Sequence, residues 1–179
     1  MDNKAPVEIE RKYVIRMPDL SILGSQEAYT VSEIRQTYLE SEPHVTHRVR
    51  KRVYGEGEVY TETKKVRIDK ISSYEDERQI DEGEYEGLLL HIKEGTRTLT
   101  KTRHTFVFLG QTFEVDIYPE WSESCILETE LTTHDTEVKM PPFISVIKEV
   151  SGDKGYTNAS MSHEFPRELV QDKTQKMTT

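Results

Sequence analysis

The residues of this chain that can do chemistry are charged, and they come two apart. Glu8, Glu10 and Lys12 alternate along one stretch, as do Arg48, Arg50 and Arg52 along another. The same spacing joins Glu62 to Lys64, Glu75 to Glu77, Lys101 to Arg103, Glu114 to Asp116 and Glu128 to Glu130. In a β-strand, side chains at i and i+2 point the same way, so each set makes one charged face. Carboxylate clusters hold hard divalent cations such as Mg²⁺ or Mn²⁺. Arg and Lys clusters hold phosphates, Arg through a bidentate fork. A site with both suits a metal-bound polyphosphate, and phosphoryl transfer asks little of a protein beyond positioning and charge stabilisation.

The elements that must position these faces are strands. Period-two patterning predicts them over 7–15, 33–40, 45–54, 58–68, 72–80, 97–109, 111–118 and 125–132. Gly55-Glu56-Gly57 and Gly110 separate adjacent runs as hairpin turns do. Helices are expected after Pro18, capped by Asp19, and over 81–93, with further helices near 142–150 and 155–163. A charged strand face is usually a solvated outer face. Here Val115 and Ile117 flank Asp116, and Leu127 and Leu131 flank Glu128 and Glu130, so the opposite faces are apolar. A helix carrying Leu88, Leu89 and Ile92 needs an apolar sheet surface to pack on. That puts the charge inside. The expected fold is α+β: an eight-stranded antiparallel β-barrel, or tunnel, with a charged lumen and helices packed outside. Such a lumen is costly unless its charges pair or bind something.

Composition sets the remaining bounds. The chain has 179 residues, 24 Lys+Arg against 33 Asp+Glu and a net charge of −9. That length predicts one domain, 1–166, followed by a polar tail, 167–179, expected to be disordered. The acidic balance argues against a general nucleic-acid surface. No apolar run reaches the length of a membrane helix, and the first residues lack a signal-peptide core. One cysteine, Cys125, rules out an internal disulfide and fits a reducing, cytoplasmic setting. It reads as a packing residue, and Trp121 as a loop anchor with base stacking the sharper alternative. The His residues show no ligand spacing.

Taken in order, the charged motifs resemble the CYTH superfamily, the triphosphate tunnel metalloenzymes. Glu8-Ile9-Glu10-Arg11-Lys12 matches the ExExK signature. The likeness continues through Arg35-Gln36-Thr37-Tyr38-Leu39, Arg48-Val49-Arg50, Lys64, Glu75-Asp76-Glu77, Lys101-Thr102-Arg103, Glu114-Val115-Asp116 and Glu128-Thr129-Glu130, and ends in the segment 149–158. The resemblance implies a barrel tunnel that hydrolyses or cyclises a triphosphate compound with a divalent metal, Mg²⁺ or Mn²⁺. By position, Glu8, Glu10, Asp116, Glu128 and Glu130 are the implied metal ligands. Lys12, Arg48, Arg50, Lys64, Lys101 and Arg103 are the implied phosphate ligands. Lys12, Glu10 and Arg50 are implied to act on the reacting group. Glu75, Glu77 and Glu114 are lumenal without a fixed role, and Arg52 either binds phosphate or sits at the barrel mouth. Lys51, Lys65 and Arg67 are expected at solvated or mouth positions. Lys154 and Tyr156 either plug one tunnel end or belong to a surface loop. Hydrolysis of inorganic tripolyphosphate is the leading expectation. Adenylate cyclisation, thiamine triphosphate hydrolysis and a non-catalytic polyphosphate-binding module are the alternatives. The expected partner is a triphosphate-containing small molecule, with no nucleic acid and no membrane; a homodimer stays open.

Overall fold

The computed structural model describes residues 7–169. The strands are β1 Val7–Arg16, β2 Glu27–Leu39, β3 Val45–Tyr54, β4 Gly57–Arg67, β5 Ser72–Ile80, β6 Leu99–Phe108, β7 Gln111–Ile117, β8 Ser124–Glu130 and β9 Val146–Glu149. The helices are α1 Leu20–Gly24, α2 Glu82–Leu88 and α3 Asn158–His163. The strand order is β5-β4-β3-β2-β6-β7-β8-β1, and β5 pairs back onto β1, which closes an antiparallel barrel of eight strands. No helix among the described residues is long and apolar enough to cross a membrane.

Tight connections set the register. Tyr54 pairs with Gly57 across the two-residue loop Gly55-Glu56, with Gly55 at φ +51°. Phe108 pairs with Gln111 across Leu109-Gly110, where both φ values are positive, as the twist of a short hairpin demands.

β9 replaces the helix expected over 142–150. β5 pairs with β1 only at Val7–Ile9, so the backbone of β1 farther along has a bare edge. β9 fills it, pairing Tyr13 with Glu149 and Ile15 with Val146. Unpaired backbone groups at a buried edge outweigh the helix preference of a short segment. The Pro141-Pro142 pair makes a turn instead, with the Ile144 amide donating to the Pro141 carbonyl at 3.0 Å.

The outer face is apolar where helices and loops cover it. Phe106, Phe113, Val115 and Leu127 pack with Leu23 of α1 and with Ile144. Leu39, Val49, Tyr60 and Ile80 receive Tyr85 of α2, with Leu88 and Leu89 against the same cluster. Burying each such side chain stabilises by about 1.5–3 kcal/mol. Ile92 is not part of this packing: the helix ends at Leu88, one 3-10 turn follows, and Ile92 is half exposed.

A third apolar cluster lies at one end of the barrel interior. The inward-facing Val14, Tyr38, Leu99, Tyr118 and Ile126 meet Trp121, Val150, Tyr156 and Met161 there. The segment after α3 ties this end down. Trp121 Nε1 donates to the Pro166 carbonyl at 2.9 Å. The Glu168 carboxylate accepts from the amides of Ser122, Glu123 and Ser124 at 2.9, 2.6 and 2.8 Å. Residues 167–169, expected to begin a disordered tail, are therefore docked; the rest of that tail, 170–179, lies outside the described residues.

Candidate active site in the barrel lumen

The charged faces meet around a cavity of about 470 Å³. β1 contributes Glu8, Glu10 and Lys12, β7 Glu114, and β8 Glu128 and Glu130. Facing them are Arg48, Arg50 and Arg52 from β3, Lys65 and Arg67 from β4, and Arg103 from β6, with Glu75 and Glu77 on β5. Asn158, Ala159 and Ser160 at the start of α3 complete the lining with Lys154 and Thr157.

Most of these charges are paired. Arg103 is the hub: Nε and Nη2 donate to the two Asp116 oxygens at 2.6 and 2.7 Å, and Nη2 also reaches Glu128 at 2.9 Å. Its Nη1 pairs with Glu114. Lys101 Nζ shares Asp116 Oδ2 with Arg103 Nη2. Lys12 Nζ lies 2.7 Å from Glu128 and 3.8 Å from Glu10, and donates to the Tyr156 carbonyl at 3.3 Å. Arg48 binds Glu75 at 2.8 Å, and Lys65 bridges Glu8 and Glu75 at 3.0 and 2.9 Å.

The electrostatic consequences follow from burial and neighbours. Against a burial that disfavours its charge, the adjacent guanidinium of Arg103 keeps the Asp116 carboxyl below its usual range. Burial and the Arg103 charge push Lys101 down to about 8. Burial and a hydrogen bond with Glu75 raise Glu8 to about 7, whereas Arg48 and Lys65 overcome burial to hold Glu75 down to about 2. Glu10 and Glu130 are both raised, Glu10 by burial and Glu128, Glu130 by burial and the carboxylates of Glu114 and Glu75.

After burial, the repulsion among these carboxylates marks a crowding of negative charge at this wall. A second cavity, of about 260 Å³, is lined by Glu10, Thr112, Glu114, Glu128, Thr129 and Glu130. A divalent cation fits this donor chemistry: hard oxygen ligands under mutual repulsion. Among the described residues no three carboxylates are already drawn together around one ion position. Asp116 is fully buried behind the cavity wall, its charge taken up by Lys101 and Arg103.

One assigned phosphate ligand is misplaced. Lys64 is exposed on the outside of the barrel, because it pairs with His47 and Asp76 on the outward faces of β3 and β5. Its strand mate Glu62 binds His47 at 2.7 Å and also pairs with Arg78, out of the lumen as well. The inward face of β4 carries Thr61, Thr63, Lys65 and Arg67, so both cations line the cavity, Lys65 half-buried and Arg67 exposed as a mouth position is. The Gly55-Glu56 loop carried the signal: with Tyr54 opposite Gly57, even residues of β3 must face odd residues of β4.

Lys51 points outward to Glu58 and Tyr60, as its place between Arg50 and Arg52 requires. Arg52 lines the cavity, with Nε on Ser32 Oγ at 2.9 Å. Tyr156 belongs to the closed end and Lys154 to the cavity lining. Trp121 is buried edge-on against Phe165, a loop anchor with no face free for a base. Cys125 is buried in the outer core, and burial pushes its thiol up.

A closed antiparallel barrel with charges of both signs in its lumen is the architecture expected from the ordered sequence motifs. The inorganic triphosphatase NE1496 is similar over 89% of this chain and 97% of its own, with 29% identity and a TM-score of 0.56. The PH1819 protein from Pyrococcus horikoshii OT3 shares the fold over 72% of this chain and 80% of its own, at 23% identity and a TM-score of 0.55. No protein-family model and no curated protein matches the chain. Motifs, barrel and lumen agree with the tunnel architecture expected from the sequence.

Proposed function

We propose that the protein is a divalent-metal-dependent triphosphatase whose substrate is inorganic tripolyphosphate. The observation that carries this reading is that one interior cavity has an acidic wall on β1, β7 and β8 and a cationic wall on β3 and β4. The likeness to NE1496, named an inorganic triphosphatase, supports it. Glu10, Glu114, Glu128 and Glu130 would hold Mg²⁺ or Mn²⁺, with Glu8 at the edge of the set. When bound, the ion neutralises charge on the phosphate oxygens. Arg48, Arg50, Lys65 and Arg103 orient the substrate and take up charge that develops on the transferred phosphoryl group. Lys12 stands between the two walls, held by Glu128 and by the Tyr156 carbonyl, where it reaches both acids and phosphate.

The lining disfavours a nucleotide. Its one aromatic ring is Tyr38, and the rest is charged, hydroxylic or amide apart from Ala159. A nucleobase therefore has little apolar surface to stack on. The test is a substrate panel of tripolyphosphate, ATP, GTP and thiamine triphosphate with Mg²⁺ and with Mn²⁺, following phosphate release and cyclic AMP together. The expected result is fastest phosphate release from tripolyphosphate; cyclic AMP as the main product from ATP would overturn the reading.

A further inference from the structure

Within the cavity, the cations differ in what holds them. Arg103, Lys12, Arg48 and Lys65 each touch at least one carboxylate, as does Lys101 behind the wall. Among the described residues Arg50, Arg52, Arg67 and Lys154 touch none, and of these Arg50 and Arg52 lie together on β3. Arg50 Nε and Nη2 donate to one neutral acceptor, Gln36 Oε1, at 3.2 and 2.9 Å. Arg52 Nε donates to the Ser32 hydroxyl. Both acceptors come from β2, whose inward residues Ser32, Ile34, Gln36 and Tyr38 are uncharged.

Gln36 is built for this task. It is fully buried, lies directly opposite Arg50 across the β2–β3 pair, and its own amide nitrogen donates to Tyr38 Oη at 2.7 Å. Arg50 can only donate, so the amide oxygen must face the guanidinium, and the nitrogen is left to donate to Tyr38 Oη. A glutamate would satisfy the same hydrogen bonds on Arg50 and cancel its charge. A glutamine orients the guanidinium and leaves the full positive charge for a ligand.

From these contacts we infer that β2 and β3 form a carboxylate-free anion subsite, in which Gln36, assisted by Ser32, is a positioning residue that keeps Arg50 and Arg52 charged and aimed at the phosphate end remote from the acidic wall. This inference rests on the triphosphate reading and names the part of the site that receives substrate charge without metal. The crowding of Arg50 by Arg48 and Arg103 agrees with it, since burial and those charges lower Arg50 to about 10, a strain that an anion relieves.

The test compares wild type with Gln36→Glu, Gln36→Met and Ser32→Ala, each checked for an unchanged unfolding transition. Binding of inorganic tripolyphosphate is measured by calorimetry, and hydrolysis by phosphate release. Gln36→Glu is expected to weaken binding and raise KM about 10- to 100-fold, the worth of one charge-assisted contact, with a smaller change in kcat. Gln36→Met, which keeps the size but loses the acceptor, should fall between, and Ser32→Ala should raise KM by a few-fold. In an Arg50→Ala background, Gln36→Glu should add little further loss, because its effect acts through Arg50. A merely structural role would give the same loss with or without Arg50, and that result would overturn the inference. Wild-type binding and KM in Gln36→Glu would overturn it too, and leave the triphosphatase reading standing. Tight binding that depends on Gln36 without any turnover would support the subsite and remove the hydrolase reading. Should Gln36→Glu not fold, Gln36→Met and Ser32→Ala decide: wild-type KM in both overturns the subsite.

Discussion

The barrel interior has two ends, and the same four strands build both. Along β1 the inward face runs Glu8, Glu10, Lys12 and then Val14; along β8 it runs Glu130, Glu128 and then Ile126. β6 passes from Arg103 and Lys101 to Leu99, and β7 from Glu114 and Asp116 to Tyr118. One end is thus a charged chamber and the other an apolar core, closed by Tyr156, Met161 and Trp121. The difference teaches that the charge inside this barrel is local. An interior of this size could have been filled with apolar side chains throughout, as its closed end is. The charged end buries ions at a cost that packing would have avoided. Burial and then like charge raise its carboxylates Glu10 and Glu130 and lower its Arg50. A ligand that supplies both signs, such as the metal-bound polyphosphate proposed above, would complete such an arrangement.

This contrast can be broken most severely at Arg103. Arg103→Ala leaves Asp116, Glu114 and Glu128 without their shared partner. Breaking a buried network in this way is expected to cost about 3–5 kcal/mol, read by equilibrium unfolding, and to abolish activity in any protein that still folds. An unchanged denaturation midpoint would show that the hub is not structural.

The apolar end should answer differently. Met161→Ala empties a fully buried site and is expected to cost about 2–5 kcal/mol of stability. The surviving folded protein should keep its kcat/KM within a few-fold, since Met161 is not among the residues that line the charged chamber. A loss of turnover as large as that of a chamber mutant, at full stability, would erase the distinction between the two ends.

A subtler comparison uses neighbours on one strand. Lys65→Ala removes the bridge between Glu8 and Glu75 and a cation from the chamber, and should lower kcat/KM about tenfold or more. Lys64→Ala changes an outward lysine and should stay close to wild type in both rate and stability, within about 0.5 kcal/mol. Equal losses would mean that β4 is set one residue out of register.

Much of this was legible from residue spacing. β3 and β5 begin and end where the alternation predicted, and on β1, β3 and β5 to β8 the charged faces turn inward. β4 failed because Glu62 and Lys64 form as good a charged pair as Lys65 and Arg67; only the loop length chooses between the faces. The 142–150 segment failed because its partner is the bare edge of β1, a tertiary demand with no local trace. Depth was not legible either: period two tells which face a residue occupies, not which end of the lumen it reaches. Gln36 escaped attention because it carries no charge, and its role exists only opposite Arg50.

The account stands most directly on metal dependence. Phosphate release from tripolyphosphate should be measured on metal-stripped protein, and again after Mg²⁺ or Mn²⁺ is restored. No release above background is expected without metal, turnover should be restored by either ion, and Glu130→Gln should need more metal to reach half its rate. Equal release with and without metal would contradict it.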